Sequence, residues 1–468
     1  MYDIIINLLN LEDDNLEVLN IDTNDETLTK SIHVRTAPIS HYCPLCGFKM
    51  HSRGIYHRTI NHPLLQDGYE VVILLDQRRW KCINCTFEAN EGFNFINPKK
   101  RFSNASDFLI VEGMKDLSKS ATAIAKEFKT SAAHVLNVFD KYVSMARLPL
   151  TEAICIDEVH LEMDSNCKYV MVIQDFITGE PIDLLISRRQ DCTEPYFSSI
   201  PVQERNIVKY LISDMYNPYI EYVNKYFPNA ISIVDSFHVT QWIINAIINY
   251  IRGLISDLRF KIREINDQMV SEGKKRYEIK NAVKVYADKL YLLQHYRWLV
   301  TKSQRNIDYG SKSHFDRHFG CVMTIYKYED LLFGYYPKLK KYRDWKEKYI
   351  AFNSSNSGNP EGAGKALDDL VSFYQAGDEK IFKDFAALLV KYREPIINSF
   401  IAVNKIGNKG EYSARLSNGP VESLNRKAKD LKRLCRGFRN FDHLRNRFLF
   451  ATRTNPALNG RGDLDESK

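Results

Sequence analysis

Two Cys-x-x-Cys pairs and four carboxylates are the residues of this chain whose types and spacing could do chemistry. Cys43 and Cys46 form one pair, Cys82 and Cys85 the other. Each pair can place two thiolates on one tetrahedral Zn²⁺, with sulfur at about 2.3 Å from the metal. Free thiols or a redox pair are the alternatives, and neither explains why both pairs share one spacing. His51, His57 and His62 lie between the pairs, but four cysteines already fill the coordination sphere. The carboxylates are Asp157, Asp214, Asp235 and Glu422. Asp157 sits inside an apolar, β-branched run, where burial without a partner would cost several kcal/mol. A metal, a cation or an end exposed to solvent would account for it. Asp214 and Asp235 each end a strand-like run. Glu422 falls in the first turn of a helix begun by Pro420; alone, it would simply stabilise that helix N-terminus. Set against the strands holding Asp157 and Asp214, it would complete a cluster of three acids. Three carboxylates that close repel unless divalent cations neutralise them, which implies Mg²⁺, with Mn²⁺ as a substitute. Two such ions about 4 Å apart can activate water or a 3′-hydroxyl and stabilise the leaving oxygen of a phosphodiester.

The elements that must hold these acids can be read from periodicity. Residues 154–161, 169–173 and 181–186 alternate as three strands of an antiparallel meander, followed by a segment broken by Pro195 and Pro201. Residues 207–214 form a fourth strand, 218–227 a helix and 230–235 a fifth strand. This α+β order fits a ribonuclease-H-like core, and other α+β folds as well. Ahead of it, the cysteine pairs flank the β-like stretch 69–75, which fits a zinc ribbon. Residues 103–117, 120–128 and a helix from 132 onward, with a turn at 129–131, have the form of a helix-turn-helix or of a plain helical packing unit. Thr130, Ser131, His134 and Asn137 are its polar candidates for DNA contact. Between Val239 and Lys409, residues 243–263, 277–299 and 382–403 have helical spacing. A wholly helical insertion is expected there, looser at 306–313 and 353–364. Its charge fits either a solvated surface or phosphate tracking. Tyr291, Tyr296 and Trp298 could stack on unpaired bases or belong to a core. After Glu422, Arg426, Lys427, Lys429, Lys432, Arg433, Arg436, Arg439, Arg445 and Arg447 have a density suited to phosphate contacts.

Several of these motifs occur together in one known family. Asp157-Glu158, Ser213-Asp214-Met215, Phe227-Pro228-Asn229-Ala230, Asp235-Ser236-Phe237-His238 and Ser417-Asn418-Gly419-Pro420-Val421-Glu422-Ser423-Leu424-Asn425 resemble the DDE transposases of bacterial insertion sequences, specifically the ISL-three family. The likeness extends through Gly437-Phe438 and Arg445-Asn446-Arg447, and the N-terminal zinc segment fits it. It implies an enzyme that binds the terminal inverted repeats of its element in double-stranded DNA, cuts them with Mg²⁺ or Mn²⁺, and joins them to target DNA. The catalytic acids would be Asp157, Asp214 and Glu422. Asp214 and Asp235 compete for the second place; Asp214 is favoured because it ends the fourth strand. Asp235 and His238 then resemble an accessory Asp-x-x-His motif, although His238 could equally be a core histidine. Pairing two DNA ends implies a homodimer or higher assembly, in the bacterial cytoplasm and nucleoid-associated when bound. A transposase-derived DNA-binding protein without catalysis is the alternative reading, and a plain metal-dependent nuclease a third.

The domain reading is 1–98 zinc-binding, 99–148 helix-turn-helix, 149–240 first part of the core, 241–408 helical insertion, 409–453 last part of the core with the Glu422 helix, and 454–468 a flexible tail. Composition agrees with such a chain. Of 468 residues, 44% are hydrophobic and 26% charged, as in globular proteins, and the formal charge of +7 mildly favours an anionic partner. No long apolar run or signal-peptide pattern points to a membrane or to secretion. Nine cysteines, five of them scattered, fit a reducing compartment.

Overall fold

The computed structural model describes residues 9, 11, 13, 15–66, 69–163, 166–407, 410–438 and 440–458. Arg439, the turn residues Asp164 and Ser165, most of the first ten residues and the tail from 459 lie outside the described residues. The chain divides into two units, one of residues 1–147, 160–168 and 426–468 and one of residues 148–159 and 169–425. Among the described residues, no helix is long and apolar enough to cross a membrane.

The first unit opens with strands β1 (Leu16–Asn24), β2 (Thr29–Thr36), β3 (Met50–Gln66), β4 (Tyr69–Cys82) and β5 (Glu88–Asn90). The sheet order is β1-β2-β4-β3, with β5 also on β4. Val34, Ile60, Ile73 and Leu75 from its inner face are buried together. β1 and β2 lie where the sequence reading placed no strand. Their burial alternates, with Val18, Ile32 and Val34 inward, in the period-2 pattern of a half-buried sheet. Three helices follow, α1 (Asn104–Gly113), α2 (Ala121–Glu127) and α3 (Ala132–Tyr142). Ser120 and Ser131 cap α2 and α3 by accepting the N–H of Ala123 and His134, each at 3.1 Å. α1 stops at Gly113 and does not reach 117. Beyond it, the carbonyls of Met114, Asp116 and Lys119 turn to the buried guanidinium of Arg447.

The second unit contains β6 (Ala153–His160), β7 (Tyr169–Asp175), β8 (Pro181–Leu185), α4 (Gln190–Ser199), α5 (Val202–Arg205), β9 (Tyr210–Ser213), α6 (Asn217–Tyr226) and β10 (Ile231–Val234). These strands form one sheet in the order β10-β9-β6-β7-β8. β9 runs parallel to β6 and β10, and β7 antiparallel to β8. The break expected at Pro195 is instead inside α4. That helix survives the lost N–H because Phe197 is fully buried against Tyr222, Tyr226 and Phe227.

The interval that follows is mostly helical: α7 (Ser236–Ser271), α8 (Arg276–His295), α9 (Trp298–Thr301), α10 (Ile325–Tyr335), α11 (Pro337–Ser355), α12 (Pro360–Ala376), α13 (Lys380–Lys391) and α14 (Arg393–Asn398). A continuous apolar core joins these helices. The expectation of a wholly helical interval fails twice. A small hairpin, β11 (His314–Asp316) and β12 (Cys321–Met323), is anchored by buried Asp316, which accepts from the hydroxyls of Tyr291 and Tyr328 and the N–H of His318 and Phe319. The helix expected through 403 ends at α14, and β13 (Ala402–Gly407) pairs with β14 (Gly410–Arg415). Arg415 accounts for that stop: its Nε and Nη1 donate to the carbonyls of Ser399 at 2.6 Å and Asn353 at 2.9 Å, satisfying helix-end groups. The loose stretch expected over 353–364 shrinks to a turn, because Asn359 caps α12 at Gly362 N and Pro360 opens it. The chain closes with α15 (Gly419–Leu434) and α16 (Phe441–Thr452).

Candidate functional site

Sheet register aligns the three aspartates. Cys155 of β6 pairs with Ile212 of β9, and Ser213 with Val234 of β10. Continuing that register, Asp157 inside β6 falls on one row with Asp214 and Asp235, which directly follow the carboxyl ends of the neighbouring parallel strands β9 and β10. This edge is where open sheets with parallel strands hold ligands. Residues directly across a sheet point to the same face, and each strand step is about 4.8 Å. Glu422 enters in the first turn of α15, whose N–H donates to the Asn418 carbonyl at 3.2 Å. His238 is in the first turn of α7, which Asp235 caps.

Hydrogen bonding separates the acids. Asp157 Oδ1 accepts from Glu158 N and Oδ2 from Asn425 Nδ2, both at 2.8 Å. Asp214 Oδ1 accepts from Tyr216 N at 3.0 Å. Asp235 accepts from Phe237 N and from Asn418 N, both at 3.1 Å, so it ties the start of α7 to the turn before Glu422. Donor atoms of Asp235, His238 and Glu422 lie within 4.8 Å of one another. Asp157 and Asp214 are not in that set, yet both belong to the same electrostatic neighbourhood. Burial pushes the Asp157 carboxyl up to about 6, and Asp214 and Glu422 add to the rise, against the Glu158 N–H and His238. Burial also raises Asp214, against His238 and Arg188. Glu158, raised by burial as well, is held by the Arg188 guanidinium and by the Tyr219 hydroxyl at 3.3 Å.

The residues fit a divalent cation. Hard carboxylate oxygens crowd one buried edge, where each proton-free carboxylate raises the cost of the next. The buried Nε2 of His238 has no hydrogen-bond partner among the described residues, and His238 belongs to the group whose donor atoms converge. Mg²⁺ and Mn²⁺ suit such oxygen-rich sets. Two measures of the second acid disagree: donor proximity favours Asp235, and hydrogen-bond occupancy favours Asp214, because both Asp235 oxygens already accept backbone N–H.

The four cysteines come together for a simple reason. β3 and β4 pair with Met50 opposite Cys82, so the knuckle before β3 meets the knuckle after β4. Cys43 Sγ lies 3.4 Å from Cys85 Sγ, and Cys46 Sγ lies 3.5 Å from both Cys82 and Cys85. A tetrahedron with about 2.3 Å metal–sulfur bonds has edges of about 3.8 Å, so this set fits Zn²⁺. His51, His57 and His62 are not in the set. His57 Nδ1 lies 2.5 Å from Asp76 Oδ1, and His62 Nδ1 lies 3.0 Å from Ser103 Oγ.

The other sequence candidates divide by environment. Thr130, in the turn before α3, is half-buried, and the Ser131 hydroxyl serves as the cap; on α3, Asn137 is exposed and the His134 ring stacks on Phe102 at 4.8 Å with Nε2 buried. On α15, Arg426, Lys427 and Arg433 are exposed; Arg433 pairs with Asp430 at 3.3 Å and Lys432 with Glu162 at 3.7 Å. Arg447 does not meet phosphate: it is 2% exposed and binds backbone carbonyls. Arg445 likewise donates to the Met145 carbonyl at 2.7 Å. Tyr291 is half-buried and stacked on His318 at 4.1 Å, and Tyr296 packs against the helical core, stacked on Tyr328 at 3.7 Å. Trp298 packs against the same core.

Sequence reasoning gave no role to Asn418, Asn425, Glu158 or Arg188. Asn425 stands three residues after Glu422 and therefore on the same helix face, a spacing that could have flagged it. Nothing local links Arg188 to Glu158 across 30 positions.

Among known proteins, a family model described as a transposase, of the DDE type called ISL3, matches residues 154–448. The match takes in Asp157, Asp214, Asp235, His238 and Glu422 and leaves out the four cysteines. Comparison with curated proteins gives no match.

Proposed function

Because the chain belongs to the ISL3 family of DDE transposases, we propose that it binds the terminal inverted repeats of its own insertion sequence and catalyses metal-dependent DNA cleavage and strand transfer. The observation that carries this reading is the row of Asp157, Asp214 and Asp235 at the carboxyl edge of one sheet, with Glu422 and His238 beside it. The order β10-β9-β6-β7-β8, antiparallel at one end and parallel at the other, supports a ribonuclease-H-like core interrupted after β10 by the mainly helical insertion.

Asp157, Asp214 and Glu422 act as the metal-holding acids. Bound Mg²⁺ or Mn²⁺ would supply charge neutralisation and Lewis acidity at the scissile phosphodiester. The chain's own residues prepare that site. Asn425 orients the Asp157 carboxylate. Asp235 is a positioning residue that fixes Asn418, and through it the first turn of α15, relative to His238. Arg188 neutralises Glu158, so that a fifth acid does not compete for the cation. Residues 1–98 with Zn²⁺ at Cys43, Cys46, Cys82 and Cys85, and the helix-turn-helix at 99–148, recognise the ends. Asn137 and Thr130 are the contacts of choice, with Arg426, Lys427, Lys432 and Arg433 on phosphates. Two ends require two active sites, hence a homodimer or larger assembly on DNA.

The test is cleavage of DNA that carries the sequences flanking the protein's own reading frame. Wild-type protein should cut at the element ends in Mg²⁺ or Mn²⁺, and D157N and E422Q should bind those ends but not cut them. Binding without cutting by the wild type would return the chain to the class of DNA-binding proteins that have lost chemistry.

A further inference from the structure

A groove of about 620 Å³ opens in the second unit, between the middle of α7 and the α8–α9 junction. Arg252, Ser256 and Arg259 line it from α7, and Gln294, His295 and Arg297 from the other side, over a floor at Ile255. All six polar residues are exposed. Among the described residues, none of the three guanidiniums has a carboxylate partner; Arg252 donates only to Asn249 Oδ1, at 3.0 Å. Other surface cations of this unit behave differently: Lys261 pairs with Glu264 at 2.6 Å, and Arg393 with Asp368 at 2.7 Å. Three unpaired guanidiniums beside amide and hydroxyl donors make a site for an anion with several oxygens.

Helix geometry connects this groove to the acidic cluster. Arg252, Ser256 and Arg259 follow His238 by 14, 18 and 21 residues on the same uninterrupted helix. At 3.6 residues per turn they lie within about 60° of the His238 azimuth, and at 1.5 Å per residue about 21 to 32 Å along the axis. Ile243, Ile247 and Ile251 occupy the buried face. A helix that presents His238 to the site therefore presents the guanidiniums on the same side, and for a duplex lying along that helix, with one phosphate of each strand per about 3.4 Å of axis, the distance is about 6 to 9 nucleotides.

We infer that the groove formed by Arg252, Arg259 and Arg297 is a phosphodiester-backbone site that holds the DNA strand leaving the acidic cluster, 6 to 9 nucleotides from the scissile bond. The inference rests on the DNA-cutting reading above. It gives the insertion a task, holding DNA in register, that needs no base recognition. Ser256 and Gln294 donate to phosphate oxygens between the guanidiniums.

The experiment compares full-length wild type with R252A/R259A/R297A and R252K/R259K/R297K on a labelled 40-base-pair duplex, reading affinity against salt. Each lost phosphate contact lowers the slope of log K against log[salt] by about 0.9. The alanine variant should therefore lose about 2.7 of slope while its melting temperature stays near wild type, and the lysine variant should keep most of it. Hydrogen exchange gives a second readout: DNA should protect residues 252–259 and 294–297 in the wild type. An unchanged slope in the folded alanine variant, or no protection at either segment, would overturn the assignment. Cutting of own-end DNA by the wild type is scored separately, so loss of the transposase reading is not confused with loss of the groove.

Discussion

Asp157 is the residue on which environment acts most. Its carboxyl is pushed up to about 6 from an ordinary 3.8, so the folded chain holds this proton more tightly than the unfolded one. The contribution favours folding below about 4 and is lost as pH rises through 6. A difference of about two units corresponds to about 3 kcal/mol. In chelator-treated protein, D157N should therefore melt above wild type at pH 7.5 and alongside it at pH 4; a gap independent of pH would contradict the burial argument. The aspartate contest is decided at the same scale. D214A should abolish cutting with end binding intact, whereas D235A should lower it less than D214A and weaken the docking of the turn before Glu422. The reverse ranking would make Asp235 the second acid. Asp157 stood out in the sequence as an acid inside an apolar strand, whereas Glu422, an ordinary acid in a first helical turn, stood out only beside the other motifs. Asn418 and Arg188 did not stand out, because their partners lie 183 and 30 positions away.

Among the elements, the four-cysteine cluster proposed to hold Zn²⁺ depends on a single pairing, Met50 opposite Cys82, which brings the two knuckles together. Metal removal should open the small core of Cys43, Met50, Trp80 and Cys82, since structural zinc sites rarely hold their fold without metal. Elemental analysis should give one zinc per chain. Chelation at neutral pH should lower β signal and melt residues 40–90, and unchanged circular dichroism would contradict this. On α3, the Ser131 hydroxyl is occupied as a cap, so S131A should cost about 1 kcal/mol of stability and weaken specific and random DNA alike. N137A should weaken specific ends more than random DNA. Equal losses in N137A would remove α3 from base recognition. Helix starts were legible at Ser120, Ser131 and Pro420, which signal them locally, whereas the same signal at Pro360 was lost in a stretch rich in Gly, Ser and Asn. The hairpins β11–β12 and β13–β14 were not legible, because Asp316 and Arg415 fix them through partners distant in sequence. β1 and β2 were missed because polar residues interrupt both, and their inward set of Val18, Ile32 and Val34 becomes recognisable only once β1 is paired on β2 and β2 on β4.

In the whole molecule, a net charge of +7 over 468 residues understates the local fields. Acids gather at one sheet edge, with Arg188 and His238 opposing them, while Arg252 and Arg259 on α7 and Arg297 across the groove have no carboxylate partner among the described residues. This segregation suits a polyanion whose scissile phosphate sits among carboxylates only when cations are present. Asp157, Asp214 and Glu422 together are proposed to hold those cations. The most direct measurement is Mn²⁺ binding, followed by loss of the free-ion electron paramagnetic resonance signal, in wild type, D157N, D214N, D235N and E422Q. The wild type should bind saturably, and D157N, D214N and E422Q should lose at least about tenfold in affinity, the scale of removing a ligand or its support, with a smaller loss in D235N. Equal Mn²⁺ affinity in wild type and E422Q, with both folded, would contradict it.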